Sequence, residues 1–170
     1  EARALVVQAE AAAPEDPELY RLDATLAMSA GDWQDAGVAL DRADARTTAD
    51  AVHQRAANAA ARAELSYQRG LLDETERLAA LAMALVPDDD EIVTQARNTM
   101  TKVFLVRRDL QRGWDWSVES LERARARRSN TEVLRGLINL GVVSIWRGDL
   151  DEAARQFESA RAVAQRGGSM

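Results

Sequence analysis

The sequence predicts an all-α protein assembled from antiparallel helix pairs, and three observations carry that prediction. The stretch Trp146-Arg147-Gly148-Asp149-Leu150-Asp151-Glu152-Ala153-Ala154 ends one apolar helical pattern (Leu137, Leu140, Gly141, Ile145). It opens a second at once (Leu150, Ala153, Ala154, Phe157, Ala160). Gly148 suits a left-handed C-cap, Asp149 an N-cap, and Glu152 the acid of a capping box, which together describe a tight turn between two helices. Second, this glycine has counterparts at Gly31, Gly70 and Gly113, at intervals of 39, 43 and 35 residues (70 − 31, 113 − 70, 148 − 113). Third, 46% of residues are hydrophobic but only 5% are aromatic, and much of the apolar content is alanine. Alanine lets helices approach closely and favours helix-on-helix packing.

In chain order, residues 1–13 read as a helix and Pro14 to Pro17 as the turn out of it. Residues 17–30 and 33–46 form the first complete pair, and Thr47 to Ala49 a polar link. A long helix over 50–69 pairs with 72–86, and Pro87-Asp88-Asp89-Asp90 ends that pair while offering acids to the next helix N-terminus. The next pair is 90–111 with 115–128, Ser129-Asn130 breaks it, and 131–147 with 150–166 closes the set. Gly167-Gly168-Ser169-Met170 reads as a frayed tail.

These segments resemble tetratricopeptide repeats, helix–turn–helix units of nominally 34 residues. In that family's frame Leu140-Gly141 falls on the Leu-Gly of the first helix, and Ala153, Phe157 and Ala160 on the packing positions of the second. An earlier copy keeps Tyr20 at the aromatic position, then Ala36, Leu40 and Ala43; the next keeps Ala79, Ala82 and the helix-ending Pro87. Pro14 lies one period before position 48, so Ala2, Val6 and Ala9 become packing positions of a repeat whose first helix is missing. The frame divides a single repeat domain into 1–14, 17–48, 50–87, an irregular copy at 90–129, 131–166 and the tail 167–170. The irregular copy departs from the family, with Lys102 and Asp109 at apolar positions and one extra residue around Trp114-Asp115-Trp116. Repeats this long are similar to the sensor domains of large bacterial ATP-dependent transcription activators of the maltose-activator and LuxR type.

The resemblance implies an alpha–alpha superhelix whose concave groove is lined by the first helix of every repeat. Carried over position by position, groove residues are Arg21, Thr25 and Met28, then Glu64, Tyr67 and Gln68, and last Arg135, Ile138, Val142, Ile145 and Trp146, with Arg107 from the irregular copy. Of the lysine–asparagine carboxylate clamp of the chaperone-binding subset, only Arg21 and Asn139 match single elements. The implied function is non-catalytic recognition of a protein, a peptide or a small effector, as the sensor or interaction part of a bacterial transcription or signalling regulator. The alternative is a scaffold for assembling an envelope or secretion complex. A repeat left without its first helix exposes an apolar face, so a homo-oligomer through the repeat ends is also expected.

Composition narrows the chemistry. Cysteine is absent, which removes disulfides and thiolate metal sites, and a formal charge of −6 lacks the basic footprint of a nucleic-acid binder. No apolar run approaches the roughly 18 residues of a membrane span. Glu1 is no translation start, so an upstream segment is expected; nothing present resembles a signal peptide, and the expectation is a cytoplasmic setting unless that upstream segment carried a signal or anchor. Trp33 and Trp114 follow turn glycines and read as turn packing, Trp116 as packing, while Trp146 can serve packing or the groove. Arg123, Arg125, Arg127 and Arg128 complement a helix C-terminus, with Glu119 and Glu122 in pairing distance. Asp88-Asp89-Asp90-Glu91 lacks the ligand spacing of a calcium loop and reads as helix capping. His53 is the single histidine and stands in no catalytic motif. No enzyme, cofactor, metal or membrane association is expected.

Overall fold

The computed structural model describes residues 2–88 and 90–167; Glu1 of the expected first helix, Asp89 of the capping run and residues 168–170 of the expected tail 167–170 lie outside them, while Gly167 belongs to the last helix and not to a tail. The described residues form nine α-helices and no strand: α1 (Ala2–Ala12), α2 (Pro17–Ala30), α3 (Trp33–Ala45), α4 (Val52–Gln68), α5 (Leu72–Leu85), α6 (Asp90–Val106), α7 (Leu110–Ala126), α8 (Asn130–Arg147) and α9 (Leu150–Gly167). The fold class is the expected one, all-α with repeating antiparallel hairpins.

The turns explain the repeat. Gly31 sits at φ +83°, Gly70 at +76° and Gly148 at +80°. Each donates its N–H to the carbonyl three residues back, and the following residue donates five back, as in Asp32 N to Ala27 O and Asp149 N to Ser144 O, both 2.9 Å. This satisfies the orphan carbonyls at a helix end and reverses the chain. Short acceptors cap several helix starts, though Asp32 before α3 makes no such bond: Asp16 takes the Glu18 N–H with Pro17 behind it, and Asp149 takes the Glu152 N–H at 3.0 Å. The Glu152 carboxylate accepts from Arg155 and Gln156.

The third hairpin corrects the sequence reading. Gly113 is no turn residue: α6 stops at Val106, α7 starts at Leu110, and Arg108 occupies the left-handed position at φ +61°. Arg108 N bonds Leu105 O and Asp109 N bonds Phe104 O, the same pair of bonds as at the glycine turns. Asp109 is the N-cap of α7, matching Asp149, and accepts from Arg112 N. Gly113 lies buried inside α7, where a Cβ would stand 3.6 Å from Phe104 Cβ and 3.8 Å from Val143 Cγ2. With Arg108 as the turn, the spacing becomes 39, 38 and 40 residues (70 − 31, 108 − 70, 148 − 108), a nearly constant period. The long helix expected over 90–111 and the late start at 115 are corrected with it.

A fifth turn, between α7 and α8, uses Arg128 at φ +58°, with Ser129 N bonded to Ala124 O. The αL conformation costs a non-glycine residue about 1–2 kcal/mol, and glycine's extra chain entropy costs about 0.5–1. Arg128→Gly is therefore expected to raise stability by up to about 1 kcal/mol, a melting shift of about 2–4 °C. Arg108→Gly should gain less, because Arg108 also stacks on Trp146 at 4.6 Å. Thermal melts of both variants check the ranking.

The chain divides into two compact units, residues 1–99 and 100–170. In the first, Ala24, Ala27, Ala36, Ala39, Leu40, Ala61 and Leu65 form a core with α2, α3 and α4 in close approach. Polar groups stitch the rest. Arg21 Nη1 donates to Asn58 Oδ1 at 3.0 Å, and Asn58 Nδ2 donates to Asp44 at 2.7 Å and to Thr47 at 3.1 Å. Arg62 pairs with Asp41 and Asp44, and Arg3 with Asp23 at 2.8 Å and Asp35 at 3.0 Å. Trp33 is exposed and lines a shallow cavity beside Asp32, Asp35 and Asp41, not a packed turn.

Glu10 on α1 is buried, and its Oε1 has no hydrogen-bond partner among the described residues. Burial raises its pKa, Asp23 adds to the rise, and Arg42, Arg46 and Arg3 oppose it. A carboxyl whose folded pKa exceeds its unfolded value contributes stability below the ordinary glutamate range and loses it as pH rises through the folded value. Glu10→Gln is expected to melt higher than wild type at pH 7 and to flatten that fall above pH 4.5; identical pH profiles would contradict it.

The second unit packs Leu121, Leu137, Leu140, Ala160 and Val163 together, with Trp114, Val118, Val133 and Leu134 against them. Trp116 meets the Phe104 ring edge-on at 5.6 Å. Of the arginine run, Arg123 reaches Glu119 at 3.9 Å and Arg127 pairs with Glu132 across the α7–α8 turn, as expected of a charged helix end.

Candidate functional site

Counting back from the turn residues spaces equivalent positions of successive first helices evenly along the sequence. Glu18, Ala57, Gln95 and Arg135 each stand thirteen residues before their turn residue; Arg21, Ala60, Asn98 and Ile138 stand ten before, and Thr25, Glu64, Lys102 and Val142 six before. In the first unit this register becomes a surface. Glu18, Ala57 and Gln95, from α2, α4 and α6, line one open cavity of about 360 Å³ together with Arg21, Leu22, Thr25, His53, Ala61, Glu91 and Ile92. The lining joins apolar Leu22, Ala57, Ala61 and Ile92 to side chains of both charge signs. That volume lies at the lower end of the range of small-ligand sites.

Of the residues expected here, Arg21 and Thr25 line the cavity. Arg21 is half-buried, and burial lowers its pKa from the usual arginine value. Its bond to Asn58, itself held by Asp44 and Thr47, fixes the guanidinium against α4. The Thr25 hydroxyl donates back to Arg21 O at 2.9 Å. Met28 is half-buried and packs on the alanine core. Farther along α4, Glu64 accepts from Thr99 Oγ1 and from Gln68 Nε2, both at 2.9 Å. Burial pushes the Tyr67 phenol up, and Glu64 adds to the shift. Glu18, His53, Glu91 and Gln95 are cavity residues that the sequence reading missed. Gln95 was hidden by the misplaced third turn, since counting from Gly113 moves it five residues out of register.

In the second unit the same face of α8 is apolar. Ile138, Ile145 and Trp146 are 42%, 48% and 42% exposed, Val142 is half-buried between them, and Arg135 is exposed one turn earlier. Val106, equivalent to Trp146 two residues before its turn, is also exposed. The Arg108 guanidinium covers the Trp146 ring at 4.6 Å, a cation–π contact. Arg107 stands in the turn after α6, exposed, at the position equivalent to Arg147. Among the described residues no group of three His, Cys, Asp or Glu side chains could hold a metal ion, and no helix is long and apolar enough to cross a membrane.

No protein-family model matches the chain, and no curated protein matches it. Among solved structures, the crystal structure of BtubC (BKLC) from P. vanneervenii is similar, with a TM-score of 0.55 and 17% identity over 97% of this chain and 89% of that chain. At that identity the likeness shows a shared helical fold.

Proposed function

We propose that this chain is a recognition module of the tetratricopeptide type, without catalysis of its own, acting as the sensor or interaction part of a bacterial transcription or signalling regulator. The observation that carries the reading is the register of Glu18, Ala57 and Gln95. Three successive first helices, each set by its own turn, turn the same position into one open cavity. Repeat arrays use such a composite face because each hairpin contributes a small patch and stacking multiplies it. The mixed lining suits a peptide segment or a small effector, with Arg21 held in place for a carboxylate.

The test compares affinity capture by wild type, by the first-helix variant Thr25→Arg with Ile138→Glu, and by the outer variant Val38→Glu. All three sites are exposed, so folding is retained. A ligand kept by the outer variant and lost by the first-helix variant supports recognition through this face. Loss confined to Val38→Glu places recognition on the second helices and contradicts it.

A further inference from the structure

The charges of the two units have opposite sign. Residues 1–99 hold 9 Lys and Arg against 19 Asp and Glu, a formal −10; residues 100–170 hold 13 against 9, a formal +4. The overall −6 conceals this segregation. It is sharpest on the first-helix face of the second unit. α8 carries one carboxylate, Glu132, which is tied to Arg127 across the turn, and residues 100–108 carry none. What this face presents is an apolar row, Ile138, Val142, Ile145 and Trp146, spaced by three, four and seven residues along one side of α8. Arg135 stands at one end of the row, and Arg108 lies over Trp146 at the other.

We infer that this face of α8 binds an acidic amphipathic segment of a partner protein. The inference rests on the recognition reading above and names the partner chemistry for the second unit. An apolar stripe at helical spacing fits the apolar side of a partner helix. Arginines at its two ends, with no carboxylate between them, select Glu or Asp at the partner's flanks and repel a basic segment. Arg108 already shields one face of Trp146, so a ligand carboxylate reaching Arg108 also brings an apolar side chain to the indole edge.

The experiment selects a random 16-residue peptide display library on the 170-residue chain. Enriched peptides are then measured by fluorescence anisotropy on wild type, on Arg135→Glu with Arg108→Glu, on Trp146→Ala, on Thr25→Arg in the first-unit cavity, and on Val38→Glu as the control outside both. The expected peptides carry apolar residues at three- and four-residue spacing with flanking Asp or Glu. They should weaken about tenfold or more on the charge-reversed variant, weaken on Trp146→Ala, and tolerate Val38→Glu on a second helix. Circular dichroism checks that the variants stay helical; Trp146→Phe, which keeps a ring under Arg108, is expected to restore binding. Enriched peptides that need Trp146 or Thr25 but show no acidic excess overturn this inference and leave the recognition reading standing. Peptides that ignore all these variants overturn both. Binding of phosphatidylglycerol vesicles or of a second copy of the chain through Trp146, with no acidic peptide selected, also overturns it.

Discussion

Leu40→Ala is expected to lower stability by about 3–4 kcal/mol, a fall in melting temperature of about 10 °C. Leu40 is completely buried, and its cluster neighbours are mostly alanines: Ala24, Ala27, Ala36, Ala39 and Ala61. Small neighbours in a packed helical seam cannot stretch into the space a lost isobutyl group leaves, so the cavity persists and adds its own cost to the lost transfer energy. The neighbouring Val38 is 46% exposed, and Val38→Ala should cost less than about 0.5 kcal/mol. Urea unfolding of the two variants separates them. Equal losses would mean that α3 presents a different face to the core.

Gly136→Val is expected to cost about 3 kcal/mol or more. A Cβ at Gly136 would stand 3.2 Å from Leu121 Cβ and 3.3 Å from Leu121 Cα, so the contact is with the backbone of α7. A branched side chain there must part α7 from α8, loosening the core that holds Leu121, Leu137 and Leu140. Gly141→Ala makes an instructive contrast. Its Cβ would meet the Phe157 ring at 2.7 Å, closer still. That ring is 37% exposed and can swing outward, while alanine gains about 1 kcal/mol of helix propensity over glycine. The near contact at Gly141 should therefore cost less than the looser one at Gly136, and thermal melts read the order.

The helix ends were legible where the sequence spelled them chemically. Gly31, Gly70 and Gly148 mark left-handed turns that glycine adopts without strain, and Asp149 marks a helix start. The third hairpin was hidden because an arginine holds the left-handed position and the nearby glycine serves packing. A signal did exist. Arg107-Arg108-Asp109-Leu110 differs from Arg147-Gly148-Asp149-Leu150 at one residue, and aligning on the Asp-Leu pair finds the turn without any glycine. That alignment also explains two apparent misfits, since Asp109 becomes an N-cap and Lys102 the equivalent of Val142. The candidate face was partly legible for a related reason. Arg21, Thr25 and Trp146 followed from correctly placed turns, whereas Gln95 and Glu91 depended on the misplaced one. Met28 stands at the same position as Tyr67 and Ile145, yet it turns to the alanine core, because small neighbours leave room for a flexible thioether. The opposite charges of the two units were present in the composition and disappeared only in the sum.

In the proposed function, recognition uses the first helices of the hairpins and not the second. Site-specific photo-crosslinking in the cells that make the protein tests it most directly. The photoreactive residue is placed at Thr25, Gln68 or Ile138 on first helices, and at Val38, Leu81 or Ala154 on second helices, all exposed positions. Discrete crosslinked species are expected from the first set and not from the second. Crosslinks arising from Val38, Leu81 or Ala154 while the first-helix positions stay silent would contradict it.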